Sequence, residues 1–347
     1  MTKEKRTTSD ALERKSTIMD VARLANVGVG TVSRVINGHQ SVRADKRGRV
    51  AAAIAELRYT PDIIARSLRS NRSMTIACVM RDFTVPVLAM FVDAMQREID
   101  AFGFSLLVAS SYHDPHREIA LLQGFRQRRI DGLVIATSSE TDHRLMDTLS
   151  QMEIPVVLID REQPLQADAV SVNHANGVRK AVTYLLDIGH RQIAMISGAV
   201  DLHPTMSRLE GFTAALRARG VSFGPDLLRL GSFGTDVAYA EARRMLEGPN
   251  RPTAIIAGGT ALLPGVIRAI HELGLVIPRD ISVIGGADSD LAQLSEPAFT
   301  VVRWSHDQLG KAAGRFLIER HARPDLPPQR MAVDAELIVR GSCSRPP

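Results

Sequence analysis

The stretch Asn26–His39, NVGVGTVSRVINGH, sets a Gly-x-Gly at Gly28 and Gly30 directly before a helical pattern, which two unrelated folds share. A dinucleotide-binding loop needs a buried strand before it, a third glycine three residues after the second, and an acid about 20 positions further on. Here the third position is Ser33. The preceding STIMDVARLAN is not a buried strand: Ala22, Leu24 and Ala25 suit a helix, and Thr17 followed by Asp20 has the form of a capping box with Asp in place of Glu. Beyond the glycines, Val32, Val35 and Ile36 make a one-sided helical stripe, and Asn37-Gly38 supplies a left-handed stop. A short helix, a tight turn and a second short helix form a helix-turn-helix rather than a phosphate cradle.

The charge distribution agrees. The 347 residues carry a formal net charge of +5, but residues 1–72 hold 15 Lys and Arg against 7 Asp and Glu, while the remaining 275 hold 28 against 31. The positive field belongs to the segment with the helix-turn-helix, as a polyanion-binding module requires. The two cysteines, Cys78 and Cys343, have no CxxC or metal-ligand spacing, which favours a reducing compartment. No apolar run approaches the roughly 18 residues of a membrane span, and the N-terminus is polar and charged rather than a signal peptide. The expectation is a soluble cytoplasmic protein.

Outward from the opening motif, a third helix is predicted from about Ala44 to Leu57 with Val50, Ile54 and Leu57 inward, followed by TPDIIARSLRSNRS, where Pro61 opens a brief helix. From Met74 the texture changes. TIACVM, FSLLVA, GLVIA and PVVLID alternate with longer amphipathic stretches, and the rhythm repeats through QIAMIS, LLRLGS, TAIIA and ISVIGG. Such alternation marks doubly wound parallel sheets whose strands are buried on both faces. The predicted organisation is a disordered tail at 1–15, an all-α helix-turn-helix domain at 16–59, a hinge helix at 60–73, and a two-lobed α/β core at 74–347. One lobe takes about 74–172 and 302–331, the other about 173–301 and 332–347; FTVVRW, the helix His306–Arg320 and AELIVR cross between them. Ligands of such sheets sit outside the carboxyl ends of the strands, so the cleft between the lobes is the expected site.

The order of TIMDVARLANVGVGTVSRVINGHQSV, RVAAAIAELRYTPDIIARSLRSNRS and DPHREIALLQGFRQRRIDGLVIA resembles the LacI-type family of bacterial transcription regulators, over residues 17 to about 340. The N-terminal part is the specific one, because DVAxxA, TVSRVxNG and YxPxxxARSL fall in the right order and spacing. The resemblance implies a homodimer that binds a pseudo-palindromic duplex operator, with a core similar to periplasmic sugar-binding proteins and a small-molecule effector, but no cofactor and no metal. It also implies association with the nucleoid when bound to DNA.

In a helix-turn-helix the start of the second helix faces base edges. Val29 and Gly30 occupy that start, with Thr31, Ser33 and Arg34 on the next turn and Asn37 at its end. Arg34 can fork onto guanine; Thr31 and Ser33 suit phosphate contacts; Val29 can read only a thymine methyl or shape; Thr17 is counted with the DNA-binding residues. In the hinge, Leu68 matches the family's minor-groove wedge, with Ala65 one turn earlier and Arg66 within reach of phosphate. Asn26, Gly28 and Asp62 depart from the family pattern, so the cap of the second helix has no side-chain oxygen.

For the cleft, the resemblance implies Asp160, at the end of PVVLID, and Arg208, in SRLEGF, with Phe83 and Trp304 as apolar walls. Structural roles compete for each: Asp160 as a loop cap, Arg208 paired with Glu210, the aromatics as core. Gly258-Gly259 stand where relatives often place Asn-Asp, and Ala287 replaces the first acid of a Gly-x-Asp-Asp turn, leaving Asp288. Two usual hydroxyl anchors are thus missing, which turns the expectation from a neutral sugar towards a sugar acid or organic acid. An enzyme is disfavoured, since HExxH, a Walker loop and a Cys-His cluster are absent from the sequence and the residues at strand ends form no triad or dyad by spacing. A periplasmic binding protein would share the lobes but lack the DNA module.

Overall fold

The computed structural model describes residues 16–36, 39, 41–59, 72–81, 86–162 and 166–347. The chain divides into two compact units, Met1–Arg72 and Ser73–Pro347.

In the first unit, α1 (Ile18–Leu24), α2 (Val29–Ile36) and α3 (Ala44–Glu56) surround a small core of Val21, Ala22, Ala25, Val32, Val50 and Ala53. The capping box forms: the Asp20 N–H donates to Thr17 Oγ1, and the Thr17 N–H donates to the Asp20 carboxylate at 3.0 Å. Asn26 turns the chain at φ 49°, a left-handed conformation that Asn tolerates. The Gly28 carbonyl then accepts from Thr31 and Val32, opening α2. In α3 Val50 is fully buried as expected, whereas Ile54 and Leu57 only flank the core and Ala53 fills it.

The second unit contains two six-stranded sheets. The first holds β1 (Thr75–Met80), β2 (Ser105–Ser110), β3 (Gly132–Ile135), β4 (Val156–Ile159), β5 (Asp168–Asn173) and β11 (Arg330–Asp334), in the order β2-β1-β3-β4-β5-β11. The second holds β6 (Ile193–Ser197), β7 (Leu228–Leu230), β8 (Ala254–Ala257), β9 (Ser282–Gly285), β10 (Thr300–Arg303) and β12 (Glu336–Ile338), in the order β7-β6-β8-β9-β10-β12. Between the strands run α4 (Pro86–Asp100), α5 (Pro115–Gln127), α6 (His143–Ser150), α7 (His174–Asp187), α8 (His203–Ala218), α9 (Thr235–Glu247), α10 (Leu262–Glu272), α11 (Asp290–Leu294) and α12 (His306–Ala322). β1, β3, β6 and β8 are buried along most or all of their length, as parallel strands covered on both faces must be.

Two features were not legible as expected. β11 was not foreseen, because only Val333 of RMAVD is buried and no apolar run marks it. β12 pairs antiparallel with β10. The chain passes from β11 through Ala335 alone into β12, so it keeps its direction and enters the second sheet from the end where that sheet's parallel strands finish. A parallel edge would need a crossover of a dozen or so residues.

In both sheets the strand order reverses beside the first strand of the lobe, at β1 and at β6. The carboxyl ends of β1 and β3 and of β6 and β8 therefore flank the two switch points, where crevices open.

Candidate functional site

On the first unit, α2 presents its N-terminal turns. Gly30 and Arg34 are exposed, Thr31 and Ser33 half-buried, and a side chain at Gly30 would meet nothing within 4 Å. Val29 is half-buried and packs on the helix core, so its apolar surface is partly used inside the domain. The Thr17 hydroxyl is bound to Asp20 Oδ2 at 2.7 Å, which fixes the start of α1. Asn37, Ala65, Arg66, Leu68 and Phe83 lie outside the described residues.

In the second unit the site is built on Asp160, which follows β4 at φ 54°. Its N–H donates to Val170 O at 2.8 Å, its Oδ1 accepts the Val172 N–H at 3.0 Å, and its Oδ2 lies 2.7 Å from His174 Nε2. His174 opens α7 and is fully buried; Arg208, on α8, approaches the same Nε2 at 3.4 Å and donates to Pro204 O at 3.2 Å. With the Nε2 proton shared towards the nearer Asp160, the Arg208 approach is electrostatic rather than a second donated bond.

Burial acts against charge on all three groups. It is outweighed at Asp160, which His174 and Arg208 hold well below the usual carboxylate range. Burial, aided by the Arg208 charge, pushes His174 down to about 4. Burial also lowers Arg208 to about 10, against the pull of Asp160. At neutral pH the trio is a carboxylate, a neutral imidazole and a guanidinium. Trp304 stands edge-on to His174 at 5.2 Å between ring centroids, and His306 lies 5.4 Å behind it, itself pushed down to about 4 by burial.

Sequence reasoning missed several neighbours. Phe233, in the loop before α9, has the Arg208 and Arg81 guanidiniums 5.6 and 5.7 Å from its ring centroid. A Cβ added at Gly198 or Gly259 would come within 2.1 or 2.7 Å of that ring, so the two glycines make room for it. Ser197, ending β6, and Thr205, on α8, are buried hydroxyls with no hydrogen-bond partner among the described residues. A lone aromatic in GSFG after a strand was the one signal available for Phe233; buried serines carry none.

At the rim the lobes are joined. Ser139 Oγ donates to Asp201 Oδ2 at 2.9 Å, the His203 N–H donates to Glu140 Oε1 at 2.6 Å, and His203 Nδ1 faces Glu162 Oε2 at 2.9 Å. Asp288, expected in the cleft, is instead tied to Arg340 at 2.8 Å and lies 4.0 Å from Arg303, so its charge is already matched within the β10–β12 edge. Arg208 makes no ion pair with Glu210 among the described residues. No group of three or more His, Cys, Asp or Glu among the described residues is placed to hold a metal ion, and no described helix is long and apolar enough to cross a membrane.

A small helix-turn-helix unit and a two-lobed body with a charged cleft define a ligand-controlled DNA-binding regulator. Comparison with known proteins agrees: residues 17–62 match the family described as bacterial regulatory proteins, lacI family, and residues 182–343 match the periplasmic binding protein-like domain. The chain is 34% identical over 330 residues to the ribose operon repressor of Escherichia coli (strain K12), covering 94% of this chain and 99% of that one. It is 32% identical over 334 residues to the repressor PurR of Klebsiella pneumoniae (strain 342), covering 96% and 98%. Among solved structures, it is similar to a lac repressor dimer bound to operator and an anti-inducer (TM-score 0.84, 25% identity, 95% of this chain and 100% of that one). It is also similar to a CelR–cellobiose complex (TM-score 0.72, 29% identity, 94% and 99%). The chain belongs to the lacI family; it is a sequence-specific DNA-binding transcriptional regulator controlled by a small molecule, not an enzyme.

Proposed function

We propose that the chain is a homodimeric, cytoplasmic repressor, nucleoid-associated when bound, whose effector sits between the lobes on Asp160, Arg208, Ser197 and Thr205, with Phe233 and Trp304 as apolar walls. One observation carries this reading: a buried carboxylate–imidazole–guanidinium trio, built from the ends of β4 and β5 and from α8, lies beside buried hydroxyls that have no partner among the described residues. Buried polar groups without partners cost free energy, so a polar ligand is what such a site accommodates. On DNA, Arg34 is assigned to a base edge, Thr31 and Ser33 to phosphates, and Thr17 to the start of α1, where its fixed hydroxyl limits it to backbone contact. Asn37, Ala65, Arg66 and Leu68, and Phe83 for the cleft, rest on the family resemblance alone. The test is a thermal-shift screen of small sugars and organic acids on the purified protein, with hits retested for operator affinity. Ligands that stabilise the protein yet never alter operator binding would contradict it.

A further inference from the structure

We propose that the effector is a small carboxylate, a sugar acid or hydroxy acid, whose anionic end is taken by Arg208 together with the hydroxyls of Ser197 and Thr205. This rests on the cleft being the effector site and adds the charge of its ligand.

The wall formed by the second lobe carries one cation and two buried hydroxyls free to donate or accept. Arg208 is 5% exposed, and no carboxylate lies within ion-pair distance of it among the described residues. Its one well-formed donated bond goes to Pro204 O, which leaves most of its five N–H groups unspent. Ser197 and Thr205 are 1% and 0% exposed. Ser197 and the Arg208 side chain converge: a Cβ built on Gly258 would lie 3.2 Å from Ser197 Oγ and 3.3 Å from Arg208 Cδ. Thr205 stands one turn before Arg208 on α8.

Most nearby carboxylate oxygens, by contrast, are engaged, although Glu118 Oε1 has no hydrogen-bond partner among the described residues. Asp160 takes the Val172 N–H and faces His174; Glu140 takes the N–H groups of His203 and Glu162; Glu162 faces His203; Asp201 takes the Ser139 hydroxyl. Glu118 takes the Ser138 N–H and hydroxyl, and Asp288 is held by Arg340. Gly258 and Gly259 add no side-chain oxygen. Arg81 reaches the Phe233 ring from the first lobe, and buried Arg161, 3.8 Å from Glu140 and bonded to the Thr137 and Asp160 carbonyls, lies near enough to depress Arg208.

Arg208 can only donate, while the Ser197 and Thr205 hydroxyls can donate or accept. A carboxylate takes the guanidinium in charge-assisted bonds and lets both hydroxyls donate to it as well, a match on the cation that a neutral sugar hydroxyl does not make.

The experiment uses the full-length protein at pH 7, with melting temperature and calorimetric affinity measured for matched pairs: D-glucose against D-gluconate and D-glucuronate, D-galactose against D-galacturonate, with D-ribose, L-lactate and L-malate. At least one acid is expected to bind while its neutral counterpart does not. Ser197→Ala, which removes a hydroxyl that holds nothing in the fold, should weaken that acid about tenfold, and Arg208→Met more than tenfold, on the scale of hydrogen bonds to charged groups. Neutral sugars binding as well as or better than the acids, silence from every acid, or acid affinity untouched by both substitutions overturns the proposal. A neutral ligand that binds and shifts operator affinity overturns it while leaving the effector role of the cleft standing. A ligand of either class that binds without changing operator affinity removes that role instead.

Discussion

His174 is where burial and two neighbouring charges compete for one proton. In the unfolded chain its ordinary value is 6.5, while burial and the nearby Arg208 hold it at about 4 in the native state, the Asp160 contact opposing them only in part. As pH falls from 6.5 towards 4, the unfolded chain takes up a proton that the native imidazole refuses. Stability conferred by the neutral ring is therefore full above 6.5 and is lost through that window, by up to about 1.4 kcal/mol per pH unit. His306, likewise held at about 4 by burial, adds a loss of the same sign. Melting curves from pH 7 to 4.5 should show a falling Tm, less steeply in His174→Gln; a flat profile contradicts the assignment. On the exposed face of α2, Arg34→Ala should cost roughly 1–3 kcal/mol on operator and little on random duplex, since a bidentate guanine contact discriminates by that much. Equal loss on both duplexes in a binding titration would make Arg34 a phosphate contact. At this scale the sequence was half informative. Asp160 and Arg208 stood in motifs, but His174, Ser197 and Phe233 acquire their roles from packing between segments far apart in the chain, which leaves no local pattern to read.

Among the elements, the helix-turn-helix was legible because local signals agreed: the Thr17–Asp20 box and the Val32 stripe both reappear, in α1 and α2. Thr17→Ala should accordingly lower the stability of the first unit by about 1 kcal/mol, read as a shift in its thermal transition. Gly28→Ser is expected to raise it by a few tenths of a kcal/mol, because a Cβ there meets nothing within 4 Å and the φ is not left-handed. The doubly wound sheets were legible for a different reason, their continuous apolar strands. β11 escaped because a strand with one buried residue has no period to detect. The helix pairs were also hidden. α7 and α8 approach so closely that a Cβ at Gly211 would lie 2.2 Å from the Ala175 carbonyl oxygen, and a mid-helix glycine looks the same in sequence whether or not a neighbour crosses it. Gly211→Ala should therefore destabilise the second unit by more than the ~1–3 kcal/mol usual for overpacking, despite Ala being the better helix former.

For the whole molecule, charge separates the two binding events. The DNA-reading segment is strongly basic while the remainder is slightly acidic, so operator binding should follow counterion release and fall by roughly a thousandfold or more between 50 and 200 mM salt if six or more phosphates are contacted. A ligand buried on Arg208 is screened far less than exposed charges are, and its affinity should change little over the same range. The two events are nevertheless linked. If effector alters operator affinity by some factor, saturating operator must alter effector affinity by the same factor and in the same direction, typically about 5- to 150-fold. Calorimetric titration of the effector with and without operator duplex, at one salt concentration, gives one factor, and operator titration with and without saturating effector gives the other. Agreement is a thermodynamic requirement of a cleft that controls DNA binding. An effector whose own affinity ignores operator, yet which releases the protein from DNA, would have to act by competing at the basic segment rather than through the lobes, and raising the salt would then weaken effector and operator together.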